Sequence, residues 1–584
     1  MTSPFFGLDI ATRALRTQQT LVDISNQNVA NANTPGYSRQ TAELKASAAY
    51  PIPVFSQTGL GQLGTGVEIT QISRARDTFL DGQVRNQLSA QGRWDARQAA
   101  LTQLEASVNE PSSTGLSATL TRYFQGWQEV ANSPSDSSVR ASLVQQGQAV
   151  VDVFHDQYRQ FTQQQQDLDN QVGLTVTDIN DYAQQLANIN KQISMVETAG
   201  MKANDLRDQR DQLLDKLSGL AKVTYVESGE GSVSVYLGSR QLVDRDKVNQ
   251  LQAVAPPGQR WVQVRWASDG AAASLADGKL RGIVESRDTL VQARIEDLNT
   301  LARRVISSVN SLHASGVGLD GKSGAGFFAG SDAATIGLDA QLTGPNGTDH
   351  VAAARMYADA ASPSGYSFAR GDSSNAVALG ALANSVAQLG SSSGLQPGTS
   401  LGSAPPVTVL GSSVLNGSAN TTYSISAPGG TAVTFSDGVS TQTGTVTVGQ
   451  DGAGNQIVTV DGGSFGLRLT LSAPAGASLS SVLATLNGRS LSTAISPTTI
   501  GDQYGQQVAA LGVESSTAQG ESANQQVLVK HLQTQRDSVS GVSLDEETTH
   551  LIQYQRAYQA AARVVTVVDS MLDTLINGTG RVGR

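Results

Sequence analysis

Residues 316–323 read Gly-Val-Gly-Leu-Asp-Gly-Lys-Ser and fit G-x-x-x-x-G-K-[ST], the pattern of a phosphate-cradling loop. In that chemistry a buried strand leads in, backbone amides wrap the phosphate, and the dipole of a following helix favours the anion. Here the preceding stretch has helical periodicity, and Gly324-Ala325-Gly326-Phe327-Phe328 follows. Those surroundings suit a loop leaving a helix better than a nucleotide site. Gly59-Leu60-Gly61-Gln62-Leu63-Gly64 matches G-x-G-x-x-G, the dinucleotide fingerprint. Val67-Glu68-Ile69 after it is strand-like, where the fingerprint needs a helix, so a plain glycine turn is the better reading.

Other reactive side chains form no constellation. The histidines at 155, 313, 350, 531 and 550 have no metal-ligand spacing. There is no G-x-S-x-G elbow, and carboxylates default to solvated faces. Asp451-Gly452-Ala453-Gly454-Asn455 lacks the distal Glu of a calcium loop and reads as a hairpin turn. Asn416-Gly-Ser and Asn420-Thr-Thr are sequons by pattern only. With no Cys, disulfides, thiolate chemistry and Cys-ligated zinc are excluded. The reading is no enzyme, no cofactor and no metal.

The elements are more informative than the candidate sites. Leu8, Leu15, Val22 and Val29 recur every seven residues, with Ala11, Gln18 and Ser25 between them, which predicts a helix with a narrow apolar seam. Pro35 stops that helix near Ala32, and Pro35-Gly36 suits the middle of a type II turn. At the other end Leu551, Tyr554, Tyr558, Ala561, Val565, Val568, Leu572 and Leu575 alternate spacings of three and four. Ser543 and Glu546 form a capping box at the start of that helix. Neither seam can bury itself. The simplest expectation is a coiled coil between the two termini, and the sharper one is a bundle shared among copies.

Between the seams the pattern is extended over 38–73 and helical over 74–109, 116–131, 136–198, 204–217 and 286–313. Gly173 is a candidate break. Residues 223–285 alternate with period two (Val233, Val235, Leu237; Val262, Val264, Trp266) and predict a small antiparallel sheet. A helix is predicted near 376–387. Residues 391–497 are Gly/Ser/Thr-rich, with short strands around Val407/Val409, Tyr423/Ile425, Val433/Phe435, Val446/Val448, Val458/Val460 and Leu467/Leu469/Leu471. Helical spacing resumes at Ile500, Tyr504, Val508 and Leu511, and again over 523–537. The expected fold is multidomain α+β: terminal helices 1–40 and 543–584 pairing as a coiled coil, and an extended linker 41–73. A long-helix bundle 74–390 with 498–542 carries the small sheet, and 391–497 is an inserted all-β domain.

The chain has 584 residues, 15% charged and 5% aromatic, with 59 Gly and a net charge of -10 spread along its length. That composition suggests several domains and no nucleic-acid surface. No run of eighteen apolar residues exists, so no membrane-spanning helix is expected, and the N-terminus lacks the regions of a secretory signal. Taken alone, this says cytoplasmic.

Two motifs change that reading. Asn31-Ala32-Asn33-Thr34-Pro35-Gly36-Tyr37-Ser38-Arg39 resembles the signature of bacterial flagellar rod, hook and junction proteins. Ser540-Gly541-Val542-Ser543-Leu544-Asp545-Glu546-Glu547, followed by Tyr554-Gln555-Arg556-Ala557-Tyr558-Gln559-Ala560, resembles the C-terminal signature of the hook–filament junction members of that family. Gly64-Thr65-Gly66-Val67 through Arg74, Asp77, Phe79 and Leu80 is similar to the family too, as is the loop before Phe327-Phe328.

The resemblance implies an axial structural protein, exported through the flagellar apparatus on an uncleaved N-terminal signal and resident in the extracellular flagellum. It implies a ring or short helical layer of identical subunits. The neighbours would be the hook protein and a second junction protein. It also implies a cytoplasmic export chaperone on the C-terminal helix, with Leu551, Tyr558, Val565 and Leu572 as anchors. No nucleic acid and no membrane insertion are expected. A hook or rod protein of the same family is the near alternative, against which the Ser-Gly-Val-x-Leu-Asp-Glu-Glu pattern and the long helical body argue. A nucleotide-dependent enzyme rests on 316–323 alone, and a surface adhesin on the β-rich insertion. Nucleotide binding and host-ligand binding, respectively, discriminate those two.

Overall fold

The computed structural model describes residues 5–49, 63–358, 366–384, 387–388, 395, 400–401, 406–414, 422–430, 432–450, 454–462, 465, 467–492, 494–495, 498–574 and 577. The helices are α1 (Phe6–Ala30), α2 (Thr78–Val108), α3 (Leu116–Asn132), α4 (Ser137–Thr198), α5 (Asn204–Leu220), α6 (Lys279–Glu285), α7 (Gln292–Ser315), α8 (Ala340–Thr343), α9 (Ser374–Ala381), α10 (Leu479–Ala484), α11 (Ile500–Ser540) and α12 (Leu544–Asp573). The chain is a multidomain α+β protein of two compact units: residues 1–99, 168–286 and 518–584, and residues 100–167 and 287–517.

Two helices are longer or less broken than the apolar pattern suggests. α4 runs unbroken through Gly173 for 62 residues, about 90 Å at 1.5 Å per residue. α11 is one helix of 41 residues where two stretches of helical spacing are legible. Its buried face continues through Leu511, Ser515, Ala518 and Ser522, at spacings of four and three, and on to Val529 seven residues later, carried by small residues that no hydrophobic pattern counts. Conversely, the helix expected to 387 ends with α9 and a 3-10 turn, Leu382–Asn384, and Ala387–Gln388 is a strand. The helix expected from 286 begins earlier, as α6, and passes through a π-helical turn, Ser286–Val291, into α7.

In the first unit, strands β1 (Gln40–Ala46) and β2 (Val67–Arg74) pair as an antiparallel ribbon with a bulge between Glu43 and Leu44. Strands β3 (Val223–Glu227), β4 (Val233–Leu237), β5 (Arg240–Asp244) and β6 (Lys247–Val248) form an antiparallel sheet in that order. β7 (Leu251–Val254) and β8 (Gln263–Trp266) pair separately. Alternate residues of β4, Val233, Val235 and Leu237, enter the core with Ile179, Leu186 and Ile193 of α4 and Leu214 and Leu217 of α5. Two asparagines of α4 act as side-chain strands. The Asn190 amide donates to the carbonyls of Val233 (2.7 Å) and Arg245 (2.8 Å) and accepts from Val233 N. Asn180 exchanges two such bonds with Leu251.

In the second unit, Tyr123, Phe124 and Trp127 of α3 form an edge-on aromatic cluster with His313 of α7 and with Phe327 and Phe328 of the segment beyond it, every ring buried. Further along this unit, two four-stranded sheets face each other. One has the order Thr408–Val414, Leu467–Ala473, Gln456–Asp461, Thr445–Gln450. The other has the order Thr441–Thr443, Thr434–Ser436, Thr422–Ser426, Arg489–Ser492. Among the described residues their apolar core holds nineteen buried side chains, all from residues 395–491 and none more than 6% exposed. The back of the first sheet meets the end of α7. Arg468 donates to Ser315 Oγ, Ser323 N donates to the carbonyl of Gln450, and Ile457 packs over Gly324.

Candidate assembly interface

α1 and α12 pack along each other and run antiparallel. Gly7 near the start of α1 lies against Val568 near the end of α12, and Arg39, past the other end of α1, reaches Glu546 in the first turn of α12. The side chains that disappear from solvent on α1 are Ala11, Thr17, Leu21, Ile24, Ser25 and Asn28. Leu8, Leu15, Val22 and Val29 are half-buried, at the edge of that face. Leu21 and Ile24 are the strongest core positions here, and the seven-residue repeat misses them. Ile10, Ala14, Thr17, Leu21, Ile24 and Asn28 follow a second three-four series, whose polar members Thr17 and Asn28 hide it. Both polar groups are spent on the ribbon: Thr17 Oγ1 donates to Val67 O, and Asn28 Nδ2 to Gln40 O.

On α12, Leu551, Tyr554, Ala561, Val565, Val568 and Leu572 are all half-buried, and Tyr558 is exposed at the edge. Leu575 lies outside the described residues. No apolar residue of α12 is fully buried, only Glu547. A further apolar series, Ala560, Val564, Val567 and Met571, sits roughly 100° around the helix, about one residue's rotation from the covered face. Val564, Val567 and Met571 are 48%, 50% and 64% exposed. The last third of α12 therefore carries two adjacent apolar faces, one half-covered and one open.

The two terminal motifs meet. Arg39 N donates to the carbonyl of Ser540 (2.8 Å), and Arg39 Nη1 pairs with Glu546 Oε2 at 2.9 Å. Ser543 Oγ accepts from Glu546 N, the expected cap, while the Glu546 carboxylate is directed to Arg39. Gly541 sits so close to the Asp537 carbonyl that a β-carbon would collide with it. Val542 is half-buried, while Leu544 and Asp545 are exposed.

Asn31 caps α1 and accepts from Thr34 Oγ1, and Asn33, Thr34 and Pro35 are exposed. Gly36 turns with φ +78°, and the Gln212 side chain fills the space where a β-carbon would stand, donating to Pro35 O. Tyr37 donates to Asn28 Oδ1 at 2.8 Å. Burial first, then Asp205, Asp208 and Glu547, push its hydroxyl above the ordinary tyrosine range.

Beneath the motif lies a buried cluster of charge. Ser38, wholly buried, donates from N (3.0 Å) and Oγ (2.6 Å) to the two oxygens of Asp208 on α5. Arg74 pairs with Asp208 and Asp211, Arg76 with Asp81, and Arg85 with Asp211 and Asp215. Arg210 joins Asp211 to Glu227, and Arg536 of α11 pairs with Asp215 at 2.7 Å. Burial disfavours charge on Asp211, yet Arg210, Arg76, Arg74 and Arg85 hold its carboxyl well below the usual range. Sequence patterning names Ser38 only as a motif letter and gives no sign of Asp208, because ion pairs between distant segments have no periodicity.

The 316–323 segment is folded inward. Amides of Val317, Gly318, Leu319, Gly321, Lys322, Ser323 and Gly324 donate to Ala354 O, Lys322 O, Asp349 O, Gly318 O, Asp320 Oδ1, Gln450 O and Ala314 O. Amides already committed to protein acceptors cannot wrap a phosphate. Of the 59–64 turn, only Leu63 and Gly64 lie within the described residues. No helix among the described residues is long and apolar enough to cross a membrane, and no group of metal-ligating side chains occurs among them.

Comparison with known proteins finds flagellar proteins. The family model described as "Flagellar hook-associated protein FlgK helical domain" matches residues 101–328. "Flagella basal body rod protein" matches 8–37, and "Flagellar basal body rod FlgEFG protein C-terminal" matches 533–578, the segments that hold most of α1 and all of α12. Flagellar hook-associated protein 1 of Bacillus subtilis (strain 168) is 28% identical over 617 residues, with 100% of both chains covered. That of Escherichia coli (strain K12) is 25% identical over 583 residues, covering 97% of this chain and 98% of its own. Among solved structures, the flagellar hook junction protein FlgK from Burkholderia pseudomallei is similar at 20% identity and TM-score 0.49, covering 79% of this chain and 100% of that one.

Proposed function

We propose that this chain, which belongs to the flagellar hook-associated protein 1 family, does its work by polymerising through its terminal helices. It is a structural protein of the bacterial flagellum, of the junction between hook and filament, and not an enzyme. It has an axial assembly role in the extracellular flagellum. The observation that carries the polymerisation reading is the pair of apolar faces on α12, half-covered on one side by α1 and open at Val564, Val567 and Met571 on the other. A helix with two adjacent apolar faces needs two neighbours. The half-buried edge Leu8, Leu15, Val22 and Val29 offers one from the next subunit. Such a contact joins unlike surfaces, and repeated it closes a ring or a short helical layer. The hook protein and the second junction protein are the proposed axial neighbours, with the insertion at 391–497 as the outer domain. Electron microscopy of cells lacking the chain tests the role: hooks without filaments are expected, and full-length filaments would overturn it.

Export through the flagellar channel requires the apolar faces to be shielded beforehand. A cytoplasmic chaperone holding α12 in a groove, anchored at Leu551, Tyr558, Val565 and Leu572, supplies this. Three of these anchors lie on the half-buried face, so chaperone and α1 compete for it. Val565→Asp with Leu572→Asp is expected to abolish capture in a pull-down and Leu15→Asp to spare it; the reverse pattern sinks the assignment.

A further inference from the structure

We propose that the buried charge cluster is a clasp that sets the direction of the α1–α12 pair against α2 and α5, with Ser38 and Asp208 as its positioning residues. This does not depend on which proteins the chain meets in the flagellum.

The pair has few other means of holding a direction. The apolar face of α12 is half-buried, α1 buries only Ala11, Leu21 and Ile24, and the ribbon, β1–β2, is mostly exposed along β1. A helix pair joined to its base by a flexible turn would swing. The turn here is not flexible at its end. Ser38 gives both its backbone amide and its hydroxyl to one carboxylate, and that carboxylate also takes Arg74 Nη1 at 2.6 Å. The two strands of the ribbon thus enter the same cluster, one through Ser38 and the other through Arg74. Gln212 fills the hollow of Gly36 from the same face of α5.

The C-terminal side reaches the cluster as well. Arg536, one turn before Ser540, pairs with Asp215, and Arg39 takes Ser540 O and Glu546. Segments around residues 38, 76, 208 and 536 must all be present before every charge is neutralised, so the clasp closes only on a chain with both ends in place. Six arginines, Arg74, Arg76, Arg85, Arg207, Arg210 and Arg536, face six carboxylates, Asp81, Glu197, Asp208, Asp211, Asp215 and Glu227, so these pairs balance. Removing one partner strands a buried charge, whereas a complete set is stable and directional. Oriented charge-assisted hydrogen bonds fix angles that apolar packing leaves soft.

The chain has no Cys, so two introduced cysteines carry the only spin labels. Gln209→Cys on α5 and Gln559→Cys on α12, both exposed, report the direction of the pair, and Asn86→Cys with Gln209→Cys reports α2 against α5. In the full-length monomer both pairs are expected to give one narrow distance distribution. Ser38→Ala, which keeps every charge, is expected to broaden the 209–559 distribution at least twofold and leave 86–209 unchanged. Asp208→Asn is expected to broaden it further. A 209–559 distribution as narrow as the unsubstituted chain's in Ser38→Ala overturns the clasp. Equal broadening of both pairs in Ser38→Ala also overturns it, because the cluster is then ordinary core. If Asp208→Asn does not fold, Ser38→Ala decides alone.

Discussion

The terminal helix pair and the inserted β-sandwich solve the burial problem in opposite ways. The sandwich closes on itself, with nineteen apolar side chains at 6% exposure or less among the described residues. The pair buries three apolar side chains on α1, Ala11, Leu21 and Ile24, and none on α12. At about 25 cal/mol per Å² of apolar surface, the sandwich core supplies its own stability, and the pair leaves much of its apolar surface in water. On the proposed reading, an element that polymerises shows as a regular apolar face that its own chain covers only half-way.

The sharpest way to break this comparison is at Phe435, wholly buried at the sandwich centre. Phe435→Ala is expected to cost about 3–5 kcal/mol in urea unfolding of the second unit. A loss below about 1 kcal/mol would mean the sandwich borrows its stability from elsewhere.

The next effect is on pH. His313 sits in the aromatic cluster, its Nδ1 donating to Ala325 O and its Nε2 accepting from Ala352 N. Burial pushes its imidazole down from 6.5 to about 4, against the opposing hydrogen bond to Ala325. A lowered base binds its proton later when folded than when unfolded. Its stabilisation is therefore full above pH 6.5 and lost progressively as pH falls from 6.5 to about 4, on the order of 3 kcal/mol in all. His313→Gln is expected to flatten the stability–pH curve in that window. Asp211 acts in the other unit and lower. Its depressed carboxyl contributes above the unfolded value of 3.8 and is lost only as pH falls beyond it. Unfolding followed separately in the two units is expected to show the second weakening first on acidification.

Much of this was legible from residue types, and the failures have physical causes. The period-two strands of the insertion announced themselves because a two-sheet core demands alternation, and Val458, Val460, Leu469 and Leu471 supply it. The helix seams are legible at both ends, and Ala11 and Ser25 of the α1 seam are buried, but a second covered face of α1, through Leu21 and Ile24, is hidden from the pattern. Thr17 and Asn28 are buried there by hydrogen bonds to the ribbon, and a hydrophobic pattern scores them as solvent-facing. α11 was read as two helices for a related reason: Ser515, Ala518 and Ser522 bury as well as leucine where helices approach closely. The clasp was invisible because Ser38, Asp208 and Arg536 are brought together by the whole fold, not by local spacing.

The smallest expected effect on the monomer is the most telling one. Val564→Asp with Val567→Asp places two charges on the open face of α12, where the two side chains are 48% and 50% exposed. Surface substitutions of this kind shift stability within about 0.5 kcal/mol. Thermal unfolding of the double variant should therefore overlay that of the unsubstituted chain. Assembly should not survive, because the same two carboxylates would be buried without partners in the subunit contact. Added to hooks from cells that lack the chain, the variant is expected to remain in the supernatant after sedimentation while the unsubstituted protein pellets with the hooks. A variant that pellets normally would show that the open face is not the contact. A variant that melts several degrees lower would show that the face is already in use within the monomer, and the contrast between closed sandwich and half-covered pair would fail at the helix that defines it.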